Sequence, residues 1–139
     1  MVLICDTGPI LAALDRADPR HAACADLVTG AAEDLVVPGL VLAELDYWCR
    51  KFGLDSAWLG FMEDVEAGAW RIEWPNDRDL RRARQLQTTY ADLDLGVVDA
   101  SILALLERLD EHKVATLDRR HFAVVRPAHV PALYLLPEL

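Results

Sequence analysis

Residues 95–109 constrain the fold of this chain most strongly, because they combine helical length with an almost wholly apolar composition. A helix that is apolar around most of its circumference is buried on most sides. An acidic residue, Asp99, nevertheless lies in the first turn of this segment, between Val98 and Ala100. A buried carboxylate costs several kcal/mol unless a partner compensates it. No lysine or arginine lies within one turn of Asp99, so we expect its partner to come from elsewhere.

Three further acidic residues lie in similarly apolar surroundings. Asp6 and Asp118 each follow an apolar run of strand length, and Glu44 interrupts the apolar stripe of a helix. Each acid has an ordinary structural explanation when it is taken alone. Asp6 can cap a helix, Asp99 can interact with a helix dipole, and Asp118 can lie in a solvated turn. Four such explanations together are much less expected than one, so the sequence predicts that the four acids form a site.

Short apolar runs alternate with longer amphipathic segments along the whole chain. This alternation predicts an α/β fold with a mostly parallel central sheet and helices on both faces. Trp70 to Trp74 alternates large apolar and polar residues, which is typical of an edge strand. The predicted strands cover residues 2–5, 35–37, 70–74, 113–117 and 133–136, and the predicted helices cover 8–14, 19–28, 40–52, 54–66, 76–90 and 95–109. An Asp18-Pro19 pair is the expected start of the second helix.

The predicted sheet also places the acidic residues. Sites in such folds lie at the carboxyl ends of the parallel strands. Asp6 and Asp118 each follow a predicted strand directly. Glu44 lies one turn into the helix after the second strand, and Asp99 begins the helix before the fourth. We therefore expect all four carboxylates to meet at one edge of the sheet.

Length and composition limit the class of protein. A chain of 139 residues with 53% hydrophobic and 27% charged residues forms one globular domain, residues 1–139, and is not a disordered segment. The net charge of −9 argues against a nucleic-acid coat protein, which carries a basic face. It does not exclude an enzyme that acts on nucleic acid through bound cations, because the metal supplies positive charge.

The remaining composition indicates the compartment. No apolar run is long enough to span a membrane, and the N-terminus has no pattern of an export signal. The three cysteines cannot all pair, and Cys5 falls in a predicted central strand. We interpret them as reduced core residues of a cytoplasmic protein.

The residue types at the predicted site favour Mg²⁺ or Mn²⁺, because an all-oxygen ligand set suits these ions better than zinc. The four histidines show no paired spacing typical of metal ligands, at His21, His112, His121 and His129. The sequence contains neither a glycine-rich phosphate loop nor a serine in a nucleophile-elbow motif.

Four short motifs, in order, resemble those of one family. They are Asp6-Thr7, Ala43-Glu44-Leu45, Asp99-Ala100 and the segment of residues 116–122, which reads Thr-Leu-Asp-Arg-Arg-His-Phe. Together they resemble a PIN domain, and more closely a VapC-type toxin of a VapBC toxin–antitoxin pair. The resemblance spans residue 3 to about residue 125. It implies a PIN-like three-layer fold and a Mg²⁺- or Mn²⁺-dependent endoribonuclease, the toxin of a type II system. It also implies a cognate VapB-type antitoxin, an RNA substrate and a homodimer.

The resemblance also implies roles for individual residues. The acidic quartet of the family, which binds metal and is catalytic, falls on Asp6, Glu44, Asp99 and Asp118. Thr116 matches the hydroxyl residue of the family, two places before the last acid. Auxiliary roles are expected for Asp94, Thr7 and Thr116, and contacts to RNA phosphates for Arg119, Arg120 and His121.

The implied reaction is attack of a metal-activated water on a phosphodiester bond. Two other functions remain open at this point. One is a metal-free interaction module whose acidic surface binds a basic partner. The other is a phosphatase-like α/β domain, which usually requires a second acid close after the first strand and a functional lysine later in the chain. Gly8 stands at the acid position, and Lys113 begins a strand instead of ending one.

Overall fold

The structure is a computed structural model that describes residues 1–138. Five parallel strands form one sheet in the order β3-β2-β1-β4-β5. The strands are β1 (Val2–Cys5), β2 (Asp34–Pro38), β3 (Trp70–Glu73), β4 (Lys113–Ala115) and β5 (Tyr134–Leu136). The predicted α/β class is confirmed, and β3 is an edge strand, as its alternating pattern predicts.

Seven helices of the described chain flank this sheet. They are α1 (Thr7–Leu14), α2 (His21–Gly30), α3 (Val41–Lys51), α4 (Asp55–Glu66), α5 (Asp77–Thr89), α6 (Val97–Arg108) and α7 (Arg119–Phe122). A short 3-10 turn, Ala91–Leu93, precedes α6. All four residues of β1 are buried, which requires cover on both faces of the sheet.

The apolar helix α6 is buried as its composition predicts. Seven successive residues from Ala100 to Leu106 are buried, and they join the main hydrophobic core with β1 and β2. Helix α5 packs along α6 and covers it with an amphipathic face that includes Ala83 and Leu86. Because α6 is held between α5 and the sheet, its first turn, with Asp99, has a fixed position.

The local signals at two helix starts have different outcomes. Asn76 caps α5 in a full capping box: its side chain accepts a hydrogen bond from the Asp79 amide, and the Asp79 carboxylate accepts one from the Asn76 amide. The Asp18-Pro19 prediction is wrong, because α2 begins at His21. The Asp18 side chain accepts instead from the Arg20 amide, which closes a turn before the helix.

Two predictions from composition can be compared with the described residues. The three cysteines are free and buried, which confirms that they are core residues. No helix within residues 1–138 is long and apolar enough to cross a membrane.

Candidate active site

The carboxyl ends of β1 and β4 meet at one edge of the sheet and carry two of the predicted acids. The Asp6 amide donates to the Ala115 carbonyl at 2.8 Å, which keeps the two strand ends paired past the last residue of β1. The Asp6 side chain caps α1, because its Oδ1 accepts from the Thr7 amide at 2.7 Å. Asp6 is therefore a helix cap, which is the structural role that its sequence position allows, and it also faces the other acids.

Thr116 joins the acids that follow these two strands. Its side chain is fully buried, and its hydroxyl donates to Asp6 Oδ2 at 2.9 Å. The Thr116 hydroxyl oxygen also accepts a hydrogen bond from the Asp118 amide at 3.0 Å. One hydroxyl thus fixes the Asp6 carboxylate and the backbone that carries Asp118.

Glu44 lies in the first turn of α3, after β2. Its Oε1 accepts from the Thr7 hydroxyl at 2.6 Å. Thr7 is buried and follows Asp6 directly, so it connects the second acid of the predicted quartet to the first. Both hydroxyl residues that the sequence indicated as auxiliary therefore contact acids of the quartet.

Asp99 and Asp118 are joined by a histidine. His121 Nδ1 lies 2.7 Å from Asp99 Oδ2 and 3.3 Å from Asp118 Oδ2. The other ring nitrogen, Nε2, lies 2.9 Å from the Leu93 carbonyl. The distant partner that Asp99 requires is thus His121, which is 22 residues away in the chain.

The placement of His121 corrects one expectation from the sequence. Because His121 follows Asp118 with Arg119 and Arg120, we expected it to contact RNA phosphates, but it is only 4% exposed. Helix α7 has four residues, too few to show a periodic pattern in the sequence, and it turns His121 and Phe122 toward the interior. His121 is therefore part of the acidic site and does not present its ring to solvent.

Burial and mutual repulsion change the titration of the acids. Burial, the nearby charge of Asp99 and the charge of Glu44 raise the pKa of Asp6 to about 7, although hydrogen bonds from Thr7 and Thr116 oppose this. Burial also raises the pKa of Asp99; the hydrogen bond from His121 opposes this rise, and the charge of Asp118 adds to it.

Burial and the neighbouring groups have opposite effects on the pKa of His121. Burial lowers the pKa of His121, but its contacts with Asp99, Leu93 and Asp118 outweigh burial and raise the pKa above its usual value. Across residues 1–138, no lysine or arginine forms an ion pair with Asp6, Glu44, Asp99 or Asp118. Additional positive charge is therefore favourable at this edge of the sheet.

The donor atoms fit a small divalent cation. Asp99, Asp118 and His121 each offer one ligand atom, and these atoms lie within 4.8 Å of one another. Asp6 is close enough to Asp99 for their charges to interact, and Glu44 joins through Thr7. The set is mainly carboxylate oxygen, which is the ligand type that Mg²⁺ and Mn²⁺ prefer.

Comparison with known families decides the family of this domain. Residues 3–126 match the family model described as PIN domain. The chain belongs to the PIN-domain family. It is also 36% identical over 126 residues to Ribonuclease VapC26 of Mycobacterium tuberculosis, a match that covers 90% of this chain and 93% of the relative. The domain is therefore of the VapC type, and a phosphatase-like α/β domain is excluded.

Solved structures share the fold of this PIN domain. The crystal structure of VapC20 of Mycobacterium tuberculosis, described as a sarcin–ricin loop cleaving toxin, has a TM-score of 0.77 at 15% identity, and the match covers 84% of this chain and 90% of that one. VapBC2 from Rickettsia felis, bound to a DNA fragment from its promoter, has a TM-score of 0.70 at 15% identity, covering 99% and 100%. At such identities these likenesses show the fold alone.

Three other predicted residues lie outside the bonded network of the PIN domain site. Asp94 is exposed and adopts a left-handed backbone, with φ of 53°, at the end of the 3-10 turn. Arg119 donates from its guanidinium to the Pro137 carbonyl at 2.8 Å, which ties α7 to the segment after β5. Arg120 is exposed beside the site.

Gly8 has a role that its sequence context did not indicate. A Cβ atom at Gly8 would lie 3.3 Å from Cβ of Leu117, so the missing side chain lets the start of α1 approach the segment before Asp118. From the sequence, Gly8 was notable only because it stands where a phosphatase-like domain has a second acid. The contact brings together segments that are far apart in the chain, and no local pattern could reveal it.

Proposed function

We propose that this VapC-type PIN domain is a Mg²⁺- or Mn²⁺-dependent endoribonuclease and the toxin of a type II toxin–antitoxin pair. The observation that carries the proposal is the continuous hydrogen-bonded network that links Glu44, Asp6, Asp118 and Asp99 at the carboxyl edge of the sheet. The 36% identity to a protein named Ribonuclease VapC26 supports RNA as the substrate.

The four carboxylates take different parts in the proposed reaction. Asp99 and Asp118 would hold the cation, because they offer ligand atoms within 4.8 Å of one another, and Asp6 would join them because its charge interacts with that of Asp99. A divalent cation at this place supplies Lewis acidity toward the phosphodiester bond and lowers the pKa of water. Glu44 uses one oxygen to accept from Thr7, which leaves its second oxygen to take a proton from the attacking water.

The surroundings of the site orient these groups and the RNA. Thr7 and Thr116 hold Glu44 and Asp6 through their hydroxyls, so the carboxylates do not need to reorganise during the reaction. The exposed Arg120 lies two residues from Asp118 and is the side chain best placed to contact a flanking phosphate. Arg119 is also exposed, but its guanidinium donates to the Pro137 carbonyl, so we assign it to holding α7. Asp94 is exposed, and we place it beside the metal ligands instead of among them.

A VapB-type antitoxin is the partner we propose. Structures of related fold include VapBC2 from Rickettsia felis and a toxin–antitoxin complex from Klebsiella pneumoniae. An arginine of such a partner could pair with the carboxylates of the site, which have no basic partner other than His121 among the described residues. We further propose a homodimer that acts in the cytoplasm, where its free cysteines stay reduced. Co-purification from the native operon tests the partner, and a chain that is harmless to its host without any bound neighbour would contradict the toxin assignment.

The activity is tested on the purified chain after removal of any antitoxin. We expect cleavage of single-stranded or looped RNA with Mg²⁺ or Mn²⁺, no cleavage with EDTA, and none by Asp99→Asn under either condition. The substrates are a panel that includes structured transfer and ribosomal RNA, because a narrow preference would hide activity on generic RNA. Cleavage that persists in EDTA, or that requires zinc, would contradict the metal mechanism. Binding of a basic partner without any cleavage of the panel would favour the metal-free interaction module.

A further inference from the structure

We propose that His121 is a positioning residue that holds the carboxylates of Asp99 and Asp118 at the separation a divalent cation requires. This inference rests on the proposed metal-dependent function. One ring nitrogen, Nδ1, lies within 3.3 Å of an oxygen of each carboxylate. The ring is hydrogen-bonded to Asp99 and lies within ion-pair distance of Asp118, so one side chain contacts both ligands and limits how far apart they can move.

The ring is fixed from its opposite side as well. Nε2 lies 2.9 Å from the Leu93 carbonyl, so each of the two ring nitrogens contacts an oxygen atom of the protein. Leu93 belongs to the 3-10 turn that precedes α6, and Asp99 belongs to the first turn of α6. The backbone amide of His121 also donates to Asp118 Oδ1, at 3.3 Å. His121 therefore connects α7, α6 and the 3-10 turn at one point.

Packing alone does not account for these contacts. An apolar side chain at position 121 would fill the same buried volume without contacting either carboxylate. The adjacent Phe122, which is 1% exposed, is an example of a residue buried in that way. Without the ring between them, the like charges of Asp99 and Asp118 would repel each other. Groups that hydrogen-bond to metal-ligating side chains change metal affinity by about 10–100-fold when they are removed.

Two neutral substitutions distinguish the contact made by Nδ1 from the contact made by Nε2. The amide nitrogen of asparagine can reach the place of Nδ1, whereas the longer glutamine places its amide nitrogen near Nε2. His121→Asn therefore retains a donor to the carboxylates, and His121→Gln retains a donor to Leu93. Both variants remove the ring, so the difference between them reports on the direction of the hydrogen bond. His129→Gln is the matched control, because its ring contacts the main-chain carbonyl of Glu111 at 2.7 Å and no side-chain carboxylate of the described residues.

The measurement is calorimetric titration of Mg²⁺ and of Mn²⁺ into the metal-free chain, with circular dichroism to confirm folding. We expect His121→Gln to bind both ions about 10–100-fold more weakly than wild type. His121→Asn should stay close to wild type, and His129→Gln should equal it. The asparagine variant tests the inference by itself where the glutamine variant does not fold, because a large loss of affinity in His121→Asn contradicts it.

The other possible results of the titration have different meanings. Wild type that binds neither ion contradicts the proposed function itself and not only this inference. Wild-type affinity in His121→Gln shows that the ring does not position the ligands. Tighter binding in that variant shows that the ring competes with the cation. A loss confined to one of the two ions contradicts the inference, because a positioning role affects the binding of both.

Discussion

Thr116 shows how much the site depends on single polar atoms. Its buried hydroxyl donates to Asp6 and accepts from the Asp118 amide, so both of its hydrogen-bonding capacities are used inside the protein. Valine has almost the same shape but leaves both partners unsatisfied, which costs about 1–3 kcal/mol. We expect Thr116→Val to lower the free energy of unfolding in urea by this amount, and Thr116→Ser to restore most of it. A valine variant as stable as wild type would show that these bonds contribute nothing to the fold.

Asp6 makes the stability of the metal-free protein depend on pH. Folding raises the pKa of its carboxyl from the ordinary value to about 7, so the folded state binds this proton more tightly than the unfolded chain. The contribution of Asp6 is fully present below pH 4 and is lost as pH rises to about 7. Between these limits the slope approaches about 1.4 kcal/mol per pH unit for one proton.

The substitution Asp6→Asn isolates this effect, because asparagine resembles the protonated acid and does not titrate. In EDTA, we expect wild type to lose stability relative to Asp6→Asn as pH rises from 4 to 7, with no further change above pH 7. Urea unfolding of both proteins across this range provides the measurement. Parallel stability curves for the two proteins would show that Asp6 titrates normally in the folded state.

At the scale of elements, the outcome of each prediction depended on the length of its pattern. Helices α5 and α6 have 13 and 12 residues, and their length and apolar patterns were sufficient to predict them. Helix α7 has four residues, too few for any period, so it was not predicted. The predicted start of α2 was wrong because an aspartate such as Asp18 can either cap a helix or close a turn. The sequence does not show which of the two structures forms.

The capping box of α5 provides a test of stability away from the site. Asn76→Ala removes the acceptor for the Asp79 amide and leaves the fold otherwise intact. We expect a loss of about 0.5–2 kcal/mol in the free energy of unfolding, measured by urea titration. Affinity for Mg²⁺ should not change, because Asp79 pairs with Arg108 and not with the acidic site. A fall in metal affinity would show instead that α5 transmits strain through α6 to Asp99.

At the scale of the whole molecule, the meeting of the four acids could be predicted and their partners could not. Parallel strands bring their carboxyl ends to one edge of the sheet, so residues after β1 and β4 had to be neighbours. The contact of His121 with Asp99 depends on the direction in which α7 turns its side chains, which the order of the elements does not determine. Gly8 against Leu117 is a contact of the same kind.

The central claim is that the four acids form a metal site and are not four separate structural residues. Asp99→Asn tests it, because the amide oxygen can still accept from His121 and the packing stays the same. Burial raises the pKa of Asp99, so its ionised form is unfavourable in the metal-free fold. The variant should therefore be at least as stable as wild type in EDTA.

Thermal melting of wild type and Asp99→Asn, in EDTA and in Mg²⁺, is the most direct measurement. We expect Mg²⁺ to stabilise wild type by about 2.7 kcal/mol at a free concentration one hundred times its dissociation constant, and to stabilise the variant by much less. A wild type that is indifferent to Mg²⁺, together with a variant that is clearly less stable in EDTA, would contradict the account and leave Asp99 as a structural carboxylate.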